Sequence, residues 1–251
     1  MMVLTCGFGS AAEDTVWLNT ASTHPMQYYL SLPRGWTAAK SWPVVIVIES
    51  ANRQFEAAAK RFALARGEMP FVIAVPLVLT NGGPGYRNVP AYHYSDLVWA
   101  DIERVGRCKF DFDGIAAVAR DIRKSYGGEE KFYLTGWEAG GHTVWAFLFQ
   151  HPETLRAVAP VSTNYAGRCL EDGQFSPAPE KAALPVRIFA GADDGWKSGQ
   201  FLFEQSHAAR KSAEEHGFSK VSEAVVPGKA HEPLAGEVLA YFYSLWKSAS
   251  N

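Results

Sequence analysis

The segment Leu134-Thr135-Gly136-Trp137-Glu138-Ala139-Gly140-Gly141-His142 constrains the fold more than any other part of this sequence. The apolar run 131–134 predicts a buried strand before it, and the apolar and aromatic run 143–150 predicts a helix after it. Glycines stand two positions before and two positions after Glu138. Small residues at this spacing let a chain turn sharply from strand to helix and project the central side chain above a sheet. The segment therefore predicts a tight turn that presents Glu138.

The same spacing is the signature of a nucleophile elbow, in which the central residue is serine. In this chain the central residue is Glu138. A glutamate is already ionised at neutral pH, since its unperturbed pKa is about 4.3, and it has no hydroxyl proton for a histidine base to remove. Its attack on an ester carbonyl would form a high-energy anhydride. The replacement therefore closes the route that a serine nucleophile takes.

Runs that predict strands alternate with runs that predict helices along the rest of the chain. Predicted strands cover 15–18, 26–32, 42–48, 71–76, 131–134, 157–161, 186–190 and 221–226, and predicted helices cover 55–65, 112–126, 143–150, 200–216 and 237–247. The first two strands have no helix between them and predict an antiparallel edge. The later strands alternate with helices, which predicts a mostly parallel sheet with helices on both faces, in the α/β class.

The stretch 80–107 has the least regular pattern and predicts a long loop. Its aromatic side chains either clamp the loop to the body of the protein or line a substrate site, and the clamp is the favoured interpretation. The residues concerned are Tyr92, His93, Tyr94 and Trp99.

Composition excludes several classes of partner. With 24 basic and 26 acidic side chains the formal net charge is -2, so a polyanion-binding surface is not expected and nucleic acid is set aside as a partner. No apolar run approaches the roughly 20 residues that a membrane-spanning helix needs. At 251 residues the chain is long enough to bury one sizeable α/β core. The sequence does not predict an oligomeric state.

The first residues resemble the end of a secretory signal, because a short apolar stretch leads into Ser10-Ala11-Ala12. We therefore expect a leader remnant at 1–12, a single domain at 13–251, and a periplasmic or secreted location, with a cytoplasmic location as the alternative. The cysteines show no metal-ligand spacing. Cys108 and Cys169 either form a disulfide, if the compartment is oxidising, or remain free thiols.

Ionisable side chains follow two later predicted strands at their carboxyl ends. Gly191-Ala192-Asp193-Asp194 follows the strand 186–190, and Pro227-Gly228-Lys229-Ala230-His231 follows the strand 221–226. Reactive groups gather at the carboxyl ends of parallel strands, because those ends meet at one edge of the sheet. An elbow residue, then an acid, then a histidine is also the chain order of α/β-hydrolase triads.

These three segments resemble the α/β-hydrolase superfamily, and within it the small bacterial esterases related to polyhydroxybutyrate depolymerases and feruloyl esterases. The resemblance extends from Pro43 to the last predicted helix. It implies an α/β-hydrolase fold, a small-molecule ester substrate and no cofactor, and no long insertion predicts a large cap domain. It assigns the acid to Asp194 rather than Asp193, because those relatives carry the aspartate three residues after the glycine, and it assigns the base to His231.

The segment Glu49-Ser50-Ala51-Asn52 departs from these relatives, which carry His-Gly and further glycines there. Any backbone N–H can serve as an oxyanion-hole donor, so the amides of Ala139, Ser50 and Ala51 are the expected donors. A carboxylate at Glu49 would oppose an oxyanion unless it is paired or points away.

Two tryptophans and one histidine near the predicted site complete the candidate residues. Trp137 and Trp196 are expected to line the substrate site, with a place in the core as the alternative. His142, one helical turn beyond Glu138, is expected to be a buried histidine that a neighbour satisfies.

Glu138 leaves several functions open. In an ester hydrolase of weak activity, Glu138 and His231 activate a water while Asp194 orients the imidazole. Alternatively Glu138 attacks a saturated carbon, as the aspartate nucleophiles of dehalogenase and epoxide-hydrolase relatives do, or pairs with His231 and leaves a non-catalytic binding protein. A metal site formed with Glu49 is the weakest alternative, because the spacing matches no metal motif.

Overall fold

The computed structural model of the chain describes residues 15–83, 86–170, 174–194 and 199–250. Its strands are β1 (Trp17–Thr20), β2 (Gln27–Ser31), β3 (Val44–Ile48), β4 (Val72–Pro76), β5 (Phe132–Glu138), β6 (Leu155–Thr163), β7 (Val186–Gly191) and β8 (Val221–Val226). Its α-helices are α1 (Phe55–Arg66), α2 (Asp96–Val105), α3 (Arg107–Tyr126), α4 (Gly140–Gln150), α5 (Gly199–Glu215) and α6 (Ala235–Ser250). Short 3-10 turns cover Tyr86–Asn88, Pro152–Thr154 and Pro179–Ala182. The leader remnant predicted at 1–12 lies outside the described residues.

The eight strands form a single sheet in the order β1-β2-β4-β3-β5-β6-β7-β8. The pairings of β2 with β1 and with β4 are antiparallel, and all the others are parallel. This arrangement confirms the mostly parallel sheet and its antiparallel edge. It also brings the carboxyl ends of β5, β7 and β8 to the same edge of the sheet.

The centre of the sheet is buried on both faces. Every residue of β3 is buried, and its sequence is valine and isoleucine throughout. Such a run is typical of a strand that is covered by apolar groups on both faces, and not of a strand with one face exposed to solvent. Among the described residues, no helix has both the length and the apolar character that crossing a bilayer requires.

Part of the stretch predicted as a loop at 80–107 is helical. The helix α2 begins after Ser95, whose hydroxyl accepts a hydrogen bond from the backbone N–H of Val98 at 3.4 Å. Trp99 and Ile102 are buried and Val98 and Val105 pack against the core, so apolar residues recur at helical spacing here and the sequence does carry a signal for this helix. The next helix, α3, begins at Arg107 rather than at residue 112. The loop prediction is therefore wrong for Asp96–Val105.

Aromatic packing clamps this stretch to the body of the protein, as predicted, through three of the four side chains named for that role. The Tyr92 ring stacks on Tyr94 and meets Trp99 edge-on, each at a centroid distance of 6.1 Å. The Tyr92 hydroxyl donates to the Val78 carbonyl at 2.6 Å. His93 is exposed, so its predicted part in the clamp is wrong.

A buried carboxylate on α3 anchors the segment that follows β4. Asp111 accepts hydrogen bonds from the backbone N–H groups of Leu79 at 2.8 Å and Thr80 at 2.7 Å, and from the Thr80 hydroxyl at 2.6 Å. The Thr80 hydroxyl also lies 2.7 Å from the hydroxyl of Thr143 on α4. Burial raises the pKa of Asp111 to about 7, although these hydrogen bonds oppose the rise.

A disulfide joins the start of α3 to the segment between β6 and β7. Cys108 and Cys169 are bonded, with their Cα atoms 5.5 Å apart. Of the two alternatives that the sequence leaves open for these cysteines, the structure has the bonded one.

We expect the free energy of unfolding to fall with rising pH through the titration of Asp111. Its pKa of about 7 in the folded chain exceeds the ordinary 3.8, so the folded state holds the proton more tightly, and this contribution is lost as pH rises between those values. Asp111→Asn removes this titration, so the free energy of unfolding of the variant should fall less steeply with rising pH. The slopes of the two proteins should differ by up to about 1.4 kcal/mol per pH unit. Urea unfolding of both proteins between about pH 5 and pH 7 measures the two slopes. Equal slopes would contradict the titration of Asp111 in this range.

Candidate active site

Glu138 lies at the turn between β5 and α4, as the elbow motif predicts. The strand β5 ends at Glu138, and α4 begins at Gly140. The φ angle of Glu138 is 49°, in the left-handed region, which costs a non-glycine residue on the order of 1–3 kcal/mol. The side chain is only half-buried. The turn therefore holds a carboxylate at the carboxyl edge of the sheet, within reach of a ligand.

The glycines on either side of Glu138 are required by close contact with β3. A Cβ atom at Gly136 would lie 2.8 Å from the carbonyl oxygen of Ile48. One at Gly140 would lie 2.6 Å from the same oxygen and 2.8 Å from the carbonyl oxygen of Glu49. All three distances are shorter than a Cβ atom tolerates. The spacing of the motif thus lets the turn rest directly on the end of β3.

Asp194 and His231 form a hydrogen-bonded pair beyond β7 and β8. His231 Nδ1 lies 3.0 Å from Asp194 Oδ2, and the Ser162 hydroxyl donates to the same oxygen at 3.0 Å. The Asp194 side chain is 1% exposed and that of His231 is 21% exposed. A buried carboxylate on Nδ1 orients an imidazole and stabilises its protonated form. Asp193 is exposed, so the geometry favours Asp194 over its neighbour as the acid.

The imidazole of His231 lies beside the elbow. Its ring centroid is 5.1 Å from that of Trp137, with an angle of 47° between the planes. Trp137 immediately precedes Glu138 and is half-buried. The structure therefore brings Glu138, Asp194 and His231, the three predicted triad positions, to one edge of the sheet, where the Trp137 ring contacts the imidazole. Trp196 lies outside the described residues.

The Glu138 carboxylate is bound by one of the predicted oxyanion-hole amides. The backbone N–H of Ala51 donates to Glu138 Oε2 at 3.3 Å. Ser50 precedes Ala51 in the same loop, and Ala139 is the residue before α4. An N–H that binds a carboxylate oxygen is also suited to the oxygen of a tetrahedral intermediate, because both carry negative charge. The Ala51 N–H therefore already has the Glu138 carboxylate as its partner.

Glu49 is buried close to this amide and is partly compensated. Burial raises its pKa, and a hydrogen bond from the Ser50 hydroxyl to Glu49 Oε1 at 3.1 Å opposes the rise. The indole of Trp137 also lies near enough to favour the ionised form, without the geometry of a full hydrogen bond. The Ser50 hydroxyl is thus a hydrogen-bond partner of the Glu49 carboxylate, but it is uncharged and does not neutralise it.

Ser162 belongs to the site although it was not predicted, and the prediction for His142 is partly wrong. Ser162 has a φ angle of 41° and lies near the end of β6, so the rule that reactive groups follow strands would have found it. His142 is buried, as predicted, and burial lowers its pKa to about 4. Its Nδ1 has no hydrogen-bond partner in the described part of the chain, so the predicted satisfying neighbour is absent there.

No metal centre is formed by the residues that the structure describes. Among them, no group of three or more histidine, cysteine, aspartate or glutamate side chains is arranged to hold a metal ion. Glu49, Glu138, Asp194 and His231, the residues of the alternative metal site, therefore form no such group.

The fold matches that of known hydrolases, although none of the family models or curated proteins compared with the sequence matches it. Poly(aspartic acid) hydrolase-1 from Sphingomonas sp. KT-1 superposes with a TM-score of 0.60 at 17% identity, over 92% of this chain and 98% of that one. Thermogutta terrifontis esterase 2 superposes with a TM-score of 0.59 at 14% identity, over 96% of each chain.

A thermostable esterase superposes with a TM-score of 0.55 at 16% identity; the match covers 94% of this chain and 63% of the esterase. Together with the strand order, these matches show that the chain has the α/β-hydrolase fold. At these sequence identities the matches show the fold of the chain and do not show its activity.

We expect Gly140→Ala to lower the free energy of unfolding by about 1–3 kcal/mol, because the new Cβ would overlap the carbonyl groups of Ile48 and Glu49. Gly236→Ala is the matched control. Gly236 lies in α6, where a Cβ would meet nothing within 4 Å, so the substitution should be neutral or stabilise by up to about 1 kcal/mol. Urea unfolding measures both. Similar effects of the two variants would contradict the close contact at the elbow.

Proposed function

We propose that this protein is a carboxylic ester hydrolase in which Glu138 keeps turnover slow by occupying the oxyanion hole. The observation that carries the proposal is the hydrogen bond from the Ala51 N–H to Glu138 Oε2 at 3.3 Å. The fold, and the pairing of Asp194 with His231 beside the elbow, support hydrolysis as the reaction.

The proposed reaction is direct attack by water. His231, oriented by Asp194, removes a proton from a water molecule as its oxygen attacks the ester carbonyl carbon. The ester oxygen takes up the negative charge and needs the Ala51 N–H. The tetrahedral intermediate then expels the alkoxide, to which His231 returns the proton, so that the products are a carboxylic acid and an alcohol.

Glu138 slows this reaction for two physical reasons. Its carboxylate competes with the substrate oxygen for the Ala51 N–H, and the loss of one such donor costs on the order of 100- to 1000-fold in kcat. Its negative charge also opposes a second negative charge a few ångströms away. A serine at this position would remove the competitor and supply a nucleophile whose proton His231 can accept.

We expect Glu138→Ser to raise kcat/KM for p-nitrophenyl acetate by about 100-fold or more. Glu138→Ala is the matched control, because it frees the Ala51 N–H without adding a nucleophile, and it should give a smaller gain. His231→Ala should abolish the gain when combined with Glu138→Ser, since the base is then absent. A folded Glu138→Ser protein no faster than the native one would contradict the proposal.

A second candidate function is displacement at a saturated carbon, with Glu138 as the nucleophile. The same hydrogen bond favours it, because the Ala51 N–H holds Oε2 and leaves Oε1 to attack. Attack on an epoxide carbon breaks its C–O bond and forms a glutamyl ester, and the epoxide oxygen takes a proton from solvent. A water activated by His231 then attacks the carbonyl carbon of that ester, which releases a diol and regenerates the carboxylate.

This second candidate predicts a covalent intermediate that His231→Ala traps. Incubation of that variant with a short-chain epoxide should add the mass of one substrate molecule to the peptide that contains Glu138, because the ester forms but is not hydrolysed. Combining the variant with Glu138→Gln should prevent the addition. Mass spectrometry of the digested protein makes the measurement, and an unmodified Glu138 peptide would rule this function out for that substrate class.

A further inference from the structure

Asn81 binds the loop that carries the oxyanion-hole amide, and Asn81 has no part in either proposed reaction. It follows β4 and is completely buried. Its side-chain amide donates to the carbonyl oxygens of Glu49 and Ser50, each at 2.9 Å. One buried side chain therefore holds two consecutive carbonyl groups just before Ala51.

The Ser50 carbonyl and the Ala51 N–H belong to the same peptide group. That group is planar and trans, so its C=O and N–H point in opposite directions and rotate together. Holding the Ser50 oxygen consequently sets the direction of the Ala51 N–H, which points at Glu138 Oε2. The Arg53 N–H also donates to the Ser50 oxygen, at 3.1 Å, so among the described residues Asn81 is the one side chain of two donors that hold this peptide group.

Asn81 is in turn held from both sides. The guanidinium of Arg168 donates to the carbonyl oxygens of Thr80 and Gly82, each at 2.8 Å. Asp111 accepts from the Thr80 N–H at 2.7 Å. Arg168 is adjacent in sequence to Cys169, which the disulfide ties to the start of α3.

We infer that Asn81 is a positioning residue for the oxyanion hole, acting through the peptide between Ser50 and Ala51. Arg168, anchored by the Cys108–Cys169 disulfide, keeps Asn81 in place. The inference rests on the proposed function only in that it concerns the same site. The orientation of the Ala51 N–H is measurable whether or not the protein hydrolyses esters.

The first test reads the backbone amide resonance of Ala51 by NMR in chains that retain Glu138. Glu138→Ala supplies the reference position for an Ala51 N–H without its carboxylate partner. Asn81→Asp keeps the size of the side chain but replaces its donor with an oxygen that repels the two carbonyls. We expect it to move the Ala51 resonance most of the way to the reference position. Arg168→Gln should move the resonance in the same direction by a smaller amount.

Ser31→Ala is the matched control for the loss of a buried hydrogen bond. Ser31 is as buried as Asn81, accepts from Arg66 at 3.2 Å and lies on β2, away from the elbow. The Ala51 resonance should not move in this variant. An unmoved resonance in a folded Asn81→Asp protein overturns the inference. Should that variant fail to fold, an unmoved resonance in Arg168→Gln overturns it instead.

The second test measures ester hydrolysis in the Glu138→Ser background. Asn81→Asp should lower kcat for p-nitrophenyl acetate by about 10- to 100-fold and change KM by less than about threefold, because an oxyanion hole acts in the transition state. Ser31→Ala should change neither constant. A fall in binding alone, with kcat retained, overturns the inference. If Glu138→Ser is inactive while the Ala51 resonance moves as expected, the inference is supported and the proposed function fails.

Discussion

The contact between the end of β3 and the turn after β5 determines the geometry of the whole site. Gly136 and Gly140 let the turn approach the carbonyl oxygens of Ile48 and Glu49 more closely than a Cβ atom would allow. That approach sets the loop after β3 against the left-handed residue at the elbow. An amide from one element and a carboxylate from the other consequently meet, although they are far apart in the sequence.

The contact between the Ala51 N–H and the Glu138 carboxylate matters for the chemistry because it involves a proposed oxyanion-hole donor. In a serine hydrolase the oxyanion-hole N–H groups stay available for a charge that develops only in the transition state. Here the Glu138 carboxylate already accepts a hydrogen bond from the Ala51 N–H. In the proposed ester hydrolysis this contact slows the reaction, whereas in the second candidate function it leaves the other Glu138 oxygen available as the nucleophile. In both proposals the pair formed by Asp194 and His231 activates a water.

The fold, and the meeting of Glu138, Asp194 and His231 at one edge of the sheet, could be predicted because they depend on local patterns and on one rule of sheet topology. The glycines around Glu138, and the acid and histidine that follow β7 and β8, are all visible in the sequence. The helix α2 was also within reach of the sequence, because Val98, Trp99, Ile102 and Val105 recur there at helical spacing, and the loop prediction overlooked this pattern.

The contacts that define the chemistry could not be read from the sequence. The hydrogen bond of Ala51 to Glu138 depends on one side-chain rotamer and one peptide orientation, and no periodicity encodes either. Asn81 stands in a glycine-rich stretch that looks like an ordinary loop, so its contacts with the β3 loop were equally hidden. The exported location and the part of Trp196 in the site stay predictions.

The measurement that tests the central claim most directly is the binding of methyl methylphosphonate, a tetrahedral monoanion, by calorimetry. If Glu138 takes the oxyanion-hole donor from ligands, Glu138→Ala should bind it at least about tenfold more tightly than the native chain, which is about 1.4 kcal/mol. Glu138→Gln, which removes the charge but keeps an oxygen able to fill the hole, should lie between the two. Equal affinity in all three proteins would contradict the claim that Glu138 occupies the oxyanion hole.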